Sequence, residues 1–428
     1  MLGSLPEVRR DPLGLFMDSF RRYGEVVRFR FGPLAVHLVS SPAGIHHVLA
    51  ENNRNYGKQT RAYRNLRYVL GNGLLTSEGE LWKRQRRIAQ PAFHRQRVGG
   101  FAATMVRAAE NATALLESRR GQEVDIHQEM MRLTLRIVGE TLLGYDATDA
   151  ADEVGAALSF LLPLANERSS RIVDLPPILP TRENLKFRRA LATLDAVVRR
   201  MIAERRKNPG DRGDLLSMLI VARDAETGEA MDDRQLRDET MTMFLAGHET
   251  TANALTFAWL LLSRYPSTFR DLRAELAGVL GGRSPTVDDL PKLALTRWVL
   301  QEAMRLYPPA WIIGRSATAP DEIGGYDIPA RSIVFVSPYV VHRHPGLWDA
   351  PEGFDPQRFA REPARGAYLP FGAGPRMCIG NGFATMEAEL VLATMAQRLR
   401  FELVPGTEVK LQPSITLRPR NGVPMTIR

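Results

Sequence analysis

Four short stretches of this chain have residue types and spacings suited to chemistry. The only cysteine, Cys378, lies in Phe371-Gly-Ala-Gly-Pro-Arg-Met-Cys-Ile-Gly380, followed by Phe383, Met386, Leu390 and Met395 at helical spacing. A thiol at a helix start meets free amides and the positive end of the helix dipole, which stabilise a thiolate, and the glycines let backbone approach a flat bulky group. A haem iron accepts such a ligand; the competing reading is a buried structural thiol. The second stretch is Ala246-Gly-His-Glu-Thr-Thr251, where Gly247 leaves space for a small molecule and the adjacent acid and alcohol, Glu249 and Thr250, can relay protons. Their bland alternatives are a hydroxyl bonded back to its own helix and a paired or solvated carboxylate. His248 reads as a packed or hydrogen-bonded helix histidine. The third stretch pairs Glu302 with Arg305 on one helix face, and the fourth is the basic run Trp82-Lys-Arg-Gln-Arg-Arg87. In the latter, Trp82 and Arg86 share one face while Lys83 and Arg87 share the next.

The elements that must position these residues are mostly helical. Leu191, Leu194, Val198 and Met201 follow the helical period, as do Met241, Phe244, Leu245, His248, Ala252, Leu255, Trp259 and Leu262. Strand-like alternation is confined to Val27 through Leu38 around Gly32-Pro33, Ile323 to Ile328 around Gly324-Gly325, Ile333 to Val336, Ile415 to Leu417 and Val423 to Met425. The proline-rich stretch 174–184 reads as a loop between helices. No linker or solenoid repeat divides the chain, which predicts one domain over residues 1–428; the best alternative cut falls near residue 310.

Composition narrows the function class. The chain has 428 residues, 44% hydrophobic and 25% charged, with a formal net charge of +9. That balance supports a large core and excludes disorder. One cysteine excludes an internal disulfide framework. No apolar run approaches the roughly 20 residues of a membrane span, and residues 1–16 lack the apolar core of a signal peptide, so the expectation is a cytoplasmic protein without a transmembrane anchor. The basic run by itself would fit nucleic acid or an anionic surface; its division into two helix faces argues against both.

The cysteine run resembles the haem loop of the cytochrome P450 family, F-x-x-G-x-R-x-C-x-G, at Phe371, Gly374, Arg376, Cys378 and Gly380. Ala246 to Thr250 is similar to that family's oxygen-activating segment, [AG]-G-x-[DE]-[TS]. Glu302 and Arg305 match its E-x-x-R pair, with Arg358 in Phe354-Asp-Pro-Gln-Arg-Phe359 as the later arginine, and Trp82 and Arg86 match its W-x-x-x-R pair. The motifs stand in the family's order from about Trp82 to the C-terminal strands. The resemblance implies a mainly α fold with small β-sheets, divided into a large helical part and a smaller β-rich part. It implies haem b (iron protoporphyrin IX) ligated by Cys378, with Trp82, Arg86, Arg315 and Arg376 on its propionates, and Glu249 and Thr250 delivering protons to reduced dioxygen. Glu302, Arg305 and Arg358 become a structural network that locks the cysteine loop.

The implied reaction inserts one atom of O2 into a C–H bond and releases the other as water. The chain holds no phosphate-cradling flavin or nicotinamide motif and no fused reductase domain, so electrons from NAD(P)H would arrive through a separate reductase and a ferredoxin or flavodoxin. Lys83 and Arg87 are expected to face outward and help dock that acidic donor. Leu74, Phe244, Leu245, Trp311, Ile312 and Ile415, with Phe160 to Leu162, are the candidate pocket lining. They fit a small lipophilic substrate such as a fatty acid, terpenoid or carotenoid; a polyketide, macrolide or steroid is the alternative. A haem-thiolate peroxygenase or isomerase would typically lack the acid–alcohol pair, and a haem gas sensor would need neither pocket nor donor.

Overall fold

Alternation of Val27 and Phe29 with Arg28 and Arg30 builds strand β1 (Val26–Phe31), which turns at Gly32 (φ +60°) into the antiparallel β2 (Leu34–Val39). The register pairs Val27 with Leu38 and Phe29 with Val36, so the apolar residues share one face. Strand β3 (Tyr56–Gly57) pairs with β4 (Ile313–Ala317), while β5 (Asp321–Ile323) and β6 (Tyr326–Ile328) form a separate hairpin around Gly324-Gly325. Strand β7 (Ile333–Val336) lies parallel to β2 and antiparallel to β4, giving the sheet order β1-β2-β7-β4-β3. One face of this sheet packs Val27, Phe29, Val36 and Leu38 on Phe16, Phe20 and Trp311; the other packs Val334 and Val336 on Ile45, Val48, Leu49 and Leu369.

These strands belong to the first of two compact units in the computed structural model: Met1–Arg64, Gln301–Cys378 and Leu411–Arg418. The second comprises Asn65–Leu300, Ile379–Lys410 and Pro419–Arg428. The chain passes between them repeatedly, so a single cut near residue 310 does not describe the division. The structure describes residues 3–144, 157, 160, 161, 164, 165, 167, 168, 171, 176–207, 210, 213–224 and 226–428. Leu162, and residues 174 and 175 of the expected loop, lie outside the described residues.

The second unit is built from helices, among them α1 (Gly79–Ala89), α2 (Ile126–Leu142) and α3 (Asp233–Arg264). Asp232 caps α3 by accepting the Gln235 amide, which extends the helix well before the periodic stretch at Met241. Helix α4 (Ala294–Leu306) carries the Glu302–Arg305 pair. Helix α5 (Asn381–Ala396) has no polar face: every residue from Met386 to Ala396 is buried, as expected of a helix at the centre of its unit. A small sheet of Glu123–Asp125, Pro424–Ile427 and Phe401–Leu403 joins it there. Ile415 precedes the strand Leu417–Pro419 rather than opening it. Among the described residues no helix is long and apolar enough to cross a membrane.

Candidate active site

In the β-rich unit, the cysteine run forms a tight loop. Gly372 and Gly374 take φ values of +74° and +69°, a 3-10 turn spans Gly374–Arg376, and the Cys378 amide donates to the Phe371 carbonyl at 3.0 Å. A side chain at 374 would place its Cβ 1.9 Å from the Leu49 carbonyl oxygen, so only glycine fits. Cys378 is exposed. Helix α5 begins at Asn381 with Gly380 as its N-cap, so the cysteine, expected at the helix start, stands two residues ahead of the cap. The thiol is therefore presented by the loop rather than carried on the first helical turn.

Behind the loop, the structure brings Glu302, Arg305 and Arg358 together. Glu302 and Arg305 are both 0% exposed and bonded side-on at 2.6 and 2.8 Å. Glu302 also accepts from Arg358 Nε and the Asp355 amide, each at 2.9 Å. Arg305 spends its remaining donors on the carbonyls of His342, Pro351 and Gly353 at 2.6 to 2.8 Å. A buried ion pair is tolerable only when its lone pairs and protons are satisfied in this way. His342, which the sequence left without a task, is the link to the cysteine loop: its Nε2 accepts the Leu369 amide at 2.8 Å while Nδ1 faces the Arg305 carbonyl at 3.3 Å. Burial, reinforced by the charges of Arg305 and Arg343, pushes its pKa down to about 3.

Arg315 on β4 tests whether the loop's surroundings suit a haem. Its residue is 6% exposed, yet it donates only to its own Gly314 carbonyl (2.9 Å) and to the Tyr63 hydroxyl (3.4 Å), and no carboxylate among the described residues pairs with it. A buried guanidinium without a counter-charge is costly. A ligand bearing carboxylates would provide one, so an exposed thiol on a glycine loop and an uncompensated buried arginine fit a haem with its propionates.

In the helical unit, α3 is buried from Leu236 to Leu262 except at Ala246, Gly247 and Thr250. The Thr250 hydroxyl donates to the Ala246 carbonyl at 2.8 Å, and Glu249 is buried beside it. Gly247 does something other than expected. A Cβ there would stand 3.0 Å from Val138 Cγ2, so this half-buried glycine admits α2, and the most exposed small residue of the patch is Ala246. Thr134 of α2 clinches the contact by donating to the His248 carbonyl at 3.0 Å. His248 itself is buried with Nδ1 on the Phe244 carbonyl at 2.9 Å, and burial lowers its pKa.

Helix α1 holds Trp82 and Arg86 half-buried on one face, with Arg86 donating to Gln90 at 3.1 Å. The outward role expected of Arg87 is not available to it. Arg87 is bonded to Asp224 at 3.1 Å and Glu226 at 2.9 Å and Arg84 to Glu229 at 2.6 Å, so these two arginines fasten α1 to Asp224, Glu226 and Glu229, while Lys83 pairs within the helix with Glu80 at 2.6 Å. Of the pocket candidates, Trp311 is a core residue: its ring stacks on Phe16 and its indole donates to the Ser414 carbonyl at 2.8 Å. Ile312 and Ile415 are half-exposed, whereas Phe244, Leu245 and Leu74 are buried. The Leu74 amide donates to Glu239 at 2.9 Å, and burial raises that carboxyl to about 8.

The family model for cytochrome P450 matches residues 1–423. The chain belongs to the cytochrome P450 family. Cyclooctatin synthase of Streptomyces melanosporofaciens is 42% identical over 417 residues, covering 95% of this chain and 89% of the relative. Cyclooctat-9-en-7-ol 5-monooxygenase of the same organism is 38% identical over 412 residues, covering 95% and 89%. The crystal structure of the cytochrome P450DA haem domain matches with a TM-score of 0.89 at 28% identity, covering 97% of this chain and 93% of that one. The fold is therefore that of a P450, and the protein is a haem-dependent, O2-using monooxygenase.

Two outcomes follow for this P450. Glu302→Ala strands Arg305 at a cost of about 3–5 kcal/mol, so the purified variant should lack haem; full haem content with slow turnover would contradict a locking role. His342 excludes a proton that the unfolded chain binds below its ordinary pKa of 6.5. Its stabilisation is complete above that value and is lost as pH falls toward about 3, by up to roughly 1.4 kcal/mol per pH unit. Denaturant midpoints should drop more steeply below pH 6.5 in the native protein than in His342→Gln, and parallel slopes would remove the effect.

Proposed function

We propose that this P450 hydroxylates a lipophilic carbocyclic terpenoid at an unactivated C–H bond, working as one catalytic domain with electrons from a separate ferredoxin or flavodoxin and an NAD(P)H-dependent reductase. The observation that carries the proton chemistry is the bare patch at Ala246, Gly247 and Thr250 on an otherwise buried stretch of α3, with Glu249 beside it. Haem, when bound, supplies the iron at which dioxygen is reduced. Cys378 would hold that iron within the loop framed by Phe371 and Gly380, Arg315 and Arg376 would meet the propionates, and by their motif Trp82 and Arg86 would do so as well. Because the Thr250 hydroxyl donates to the Ala246 carbonyl, its oxygen lone pairs are left to accept a proton and pass one on, with Glu249 as the adjoining acid–base group. His248, buried and shifted toward its neutral form, does not compete as the donor.

The substrate class is supported by the two Streptomyces relatives, one of which is named for oxidation at position 5 of a cyclic unsaturated alcohol. Phe244, Leu245 and Leu74 offer no charge to an incoming ligand, which suits a hydrocarbon skeleton.

Thr250→Ala should divert electrons to peroxide, lowering product formed per NAD(P)H by about tenfold or more; an unchanged ratio would remove the relay role. Titrating the ferric protein with cyclic terpenoids, fatty acids, steroids and macrolides while following the Soret band tests the substrate class. A saturable low-spin to high-spin shift with the terpenoids alone is the expected result, and a shift confined to macrolides or steroids would overturn it.

A further inference from the structure

Outside every motif, Asp321 at the start of β5 gathers three hydrogen bonds on one oxygen. Its Oδ2 accepts from Tyr56 Oη at 2.5 Å, His47 Nε2 at 2.8 Å and Asn52 Nδ2 at 3.1 Å, while Oδ1 accepts the Glu322 amide at 2.9 Å. Burial alone would raise this carboxyl, but the donors, Tyr56 foremost, outweigh it and hold it at about 2. Burial and Asp321 together push the Tyr56 phenol well above its ordinary value. Across the working pH range Asp321 therefore stays charged and Tyr56 neutral, which keeps the hydrogen bond between them in place.

What it braces is unusual. His47 and Asn52 bracket a single π-helical turn, His47–Glu51, closed by the Asn52 amide on the His47 carbonyl at 2.8 Å. Such turns are rare, and they cluster at functional sites. Asn53 adds a second pin by donating to the Ala50 carbonyl at 2.5 Å. The turn presses Val48 and Leu49 into the apolar cluster that contains Leu369, against which Ala373 of the cysteine loop also packs. Its Leu49 carbonyl occupies the space that a Cβ on Gly374 would need. The loop therefore closes against the π turn, and the π turn is tied to β5 through Asp321.

We propose that Asp321 is a positioning residue for the thiolate: by pinning the π turn against Gly374 it fixes the loop that presents Cys378. This inference rests on the haem-thiolate reading of Cys378. The test uses the reduced carbon monoxide complex of the full-length holoprotein, whose Soret maximum separates thiolate from thiol ligation. Asp321→Asn removes the charge at constant shape, Tyr56→Phe removes one donor, and Glu322→Gln alters an exposed neighbour on the same strand as a control. On warming, the thiolate form should be lost about tenfold faster in Asp321→Asn, by a smaller factor in Tyr56→Phe and at the native rate in Glu322→Gln, with the global denaturant midpoint changed much less. Native rates in both cluster variants would overturn the proposal, as would losses that merely track the global midpoint. Should Asp321→Asn fail to take up haem, Tyr56→Phe decides by the same criterion. A native protein without the thiolate band would overturn the haem-thiolate reading and this inference with it, whereas a normal native spectrum with unaffected variants overturns this inference alone.

Discussion

A carboxylate and a guanidinium taken wholly out of water must be satisfied on every side, and the β-rich unit is arranged around meeting that demand for Glu302 and Arg305. Between them they engage the carbonyls of His342, Pro351 and Gly353, the Asp355 amide and the Arg358 side chain. Arg358 reaches on to the carbonyls of Asp349 and Ala350, and Ala350 takes a positive φ of 42° that a non-glycine residue adopts only under constraint. Segment 342–355, which contains no helix or strand, is thus wrapped on the ion pair. Such a pair adds little net stability over an apolar core, but removing one partner is severe, so its value is in fixing one loop path.

That path ends at the cysteine. Through His342 the network holds the Leu369 amide, and from the other side the π turn at His47–Glu51 abuts Gly374. Two supports that meet at Leu369 suit the ligand role proposed for Cys378, since a loop without regular secondary structure has few contacts of its own to resist displacement. In the helical unit a parallel economy operates. Gly247 lets α2 seat against α3, and Thr134 and the buried His248 secure that seam, leaving only Ala246, Gly247 and Thr250 uncovered. Rigid packing on all other sides keeps the acid and alcohol in place without a dedicated loop.

Much of this was legible in the linear chain. Period-two and period-3.6 patterns located the β1–β2 and β5–β6 hairpins, β7, and the middle of α3, because those patterns reflect which face is buried. The cysteine run, the E-x-x-R pair and the acid–alcohol dipeptide were legible because their chemistry lies in residues close together in sequence. Helix ends were less so: α3 starts at its Asp232 cap, set by a side-chain hydrogen bond that hydrophobic periodicity does not register.

The sequence by itself determined the family and the mainly helical class with small sheets, and it singled out the residues proposed to carry the chemistry. Only the tertiary structure decided which way neighbouring side chains point and what they meet. Gly247 faces Val138 and not an open space, Arg87 is spent on Asp224 and Glu226, and Trp311 is buried against Phe16. Asp321 gained its importance from His47, 274 residues away, and from Tyr56, 265 away. The physical reason is common to all four: a local pattern fixes the kind of interaction a residue can make, but partners distant in sequence are brought within hydrogen-bonding or van der Waals range only when the whole chain packs.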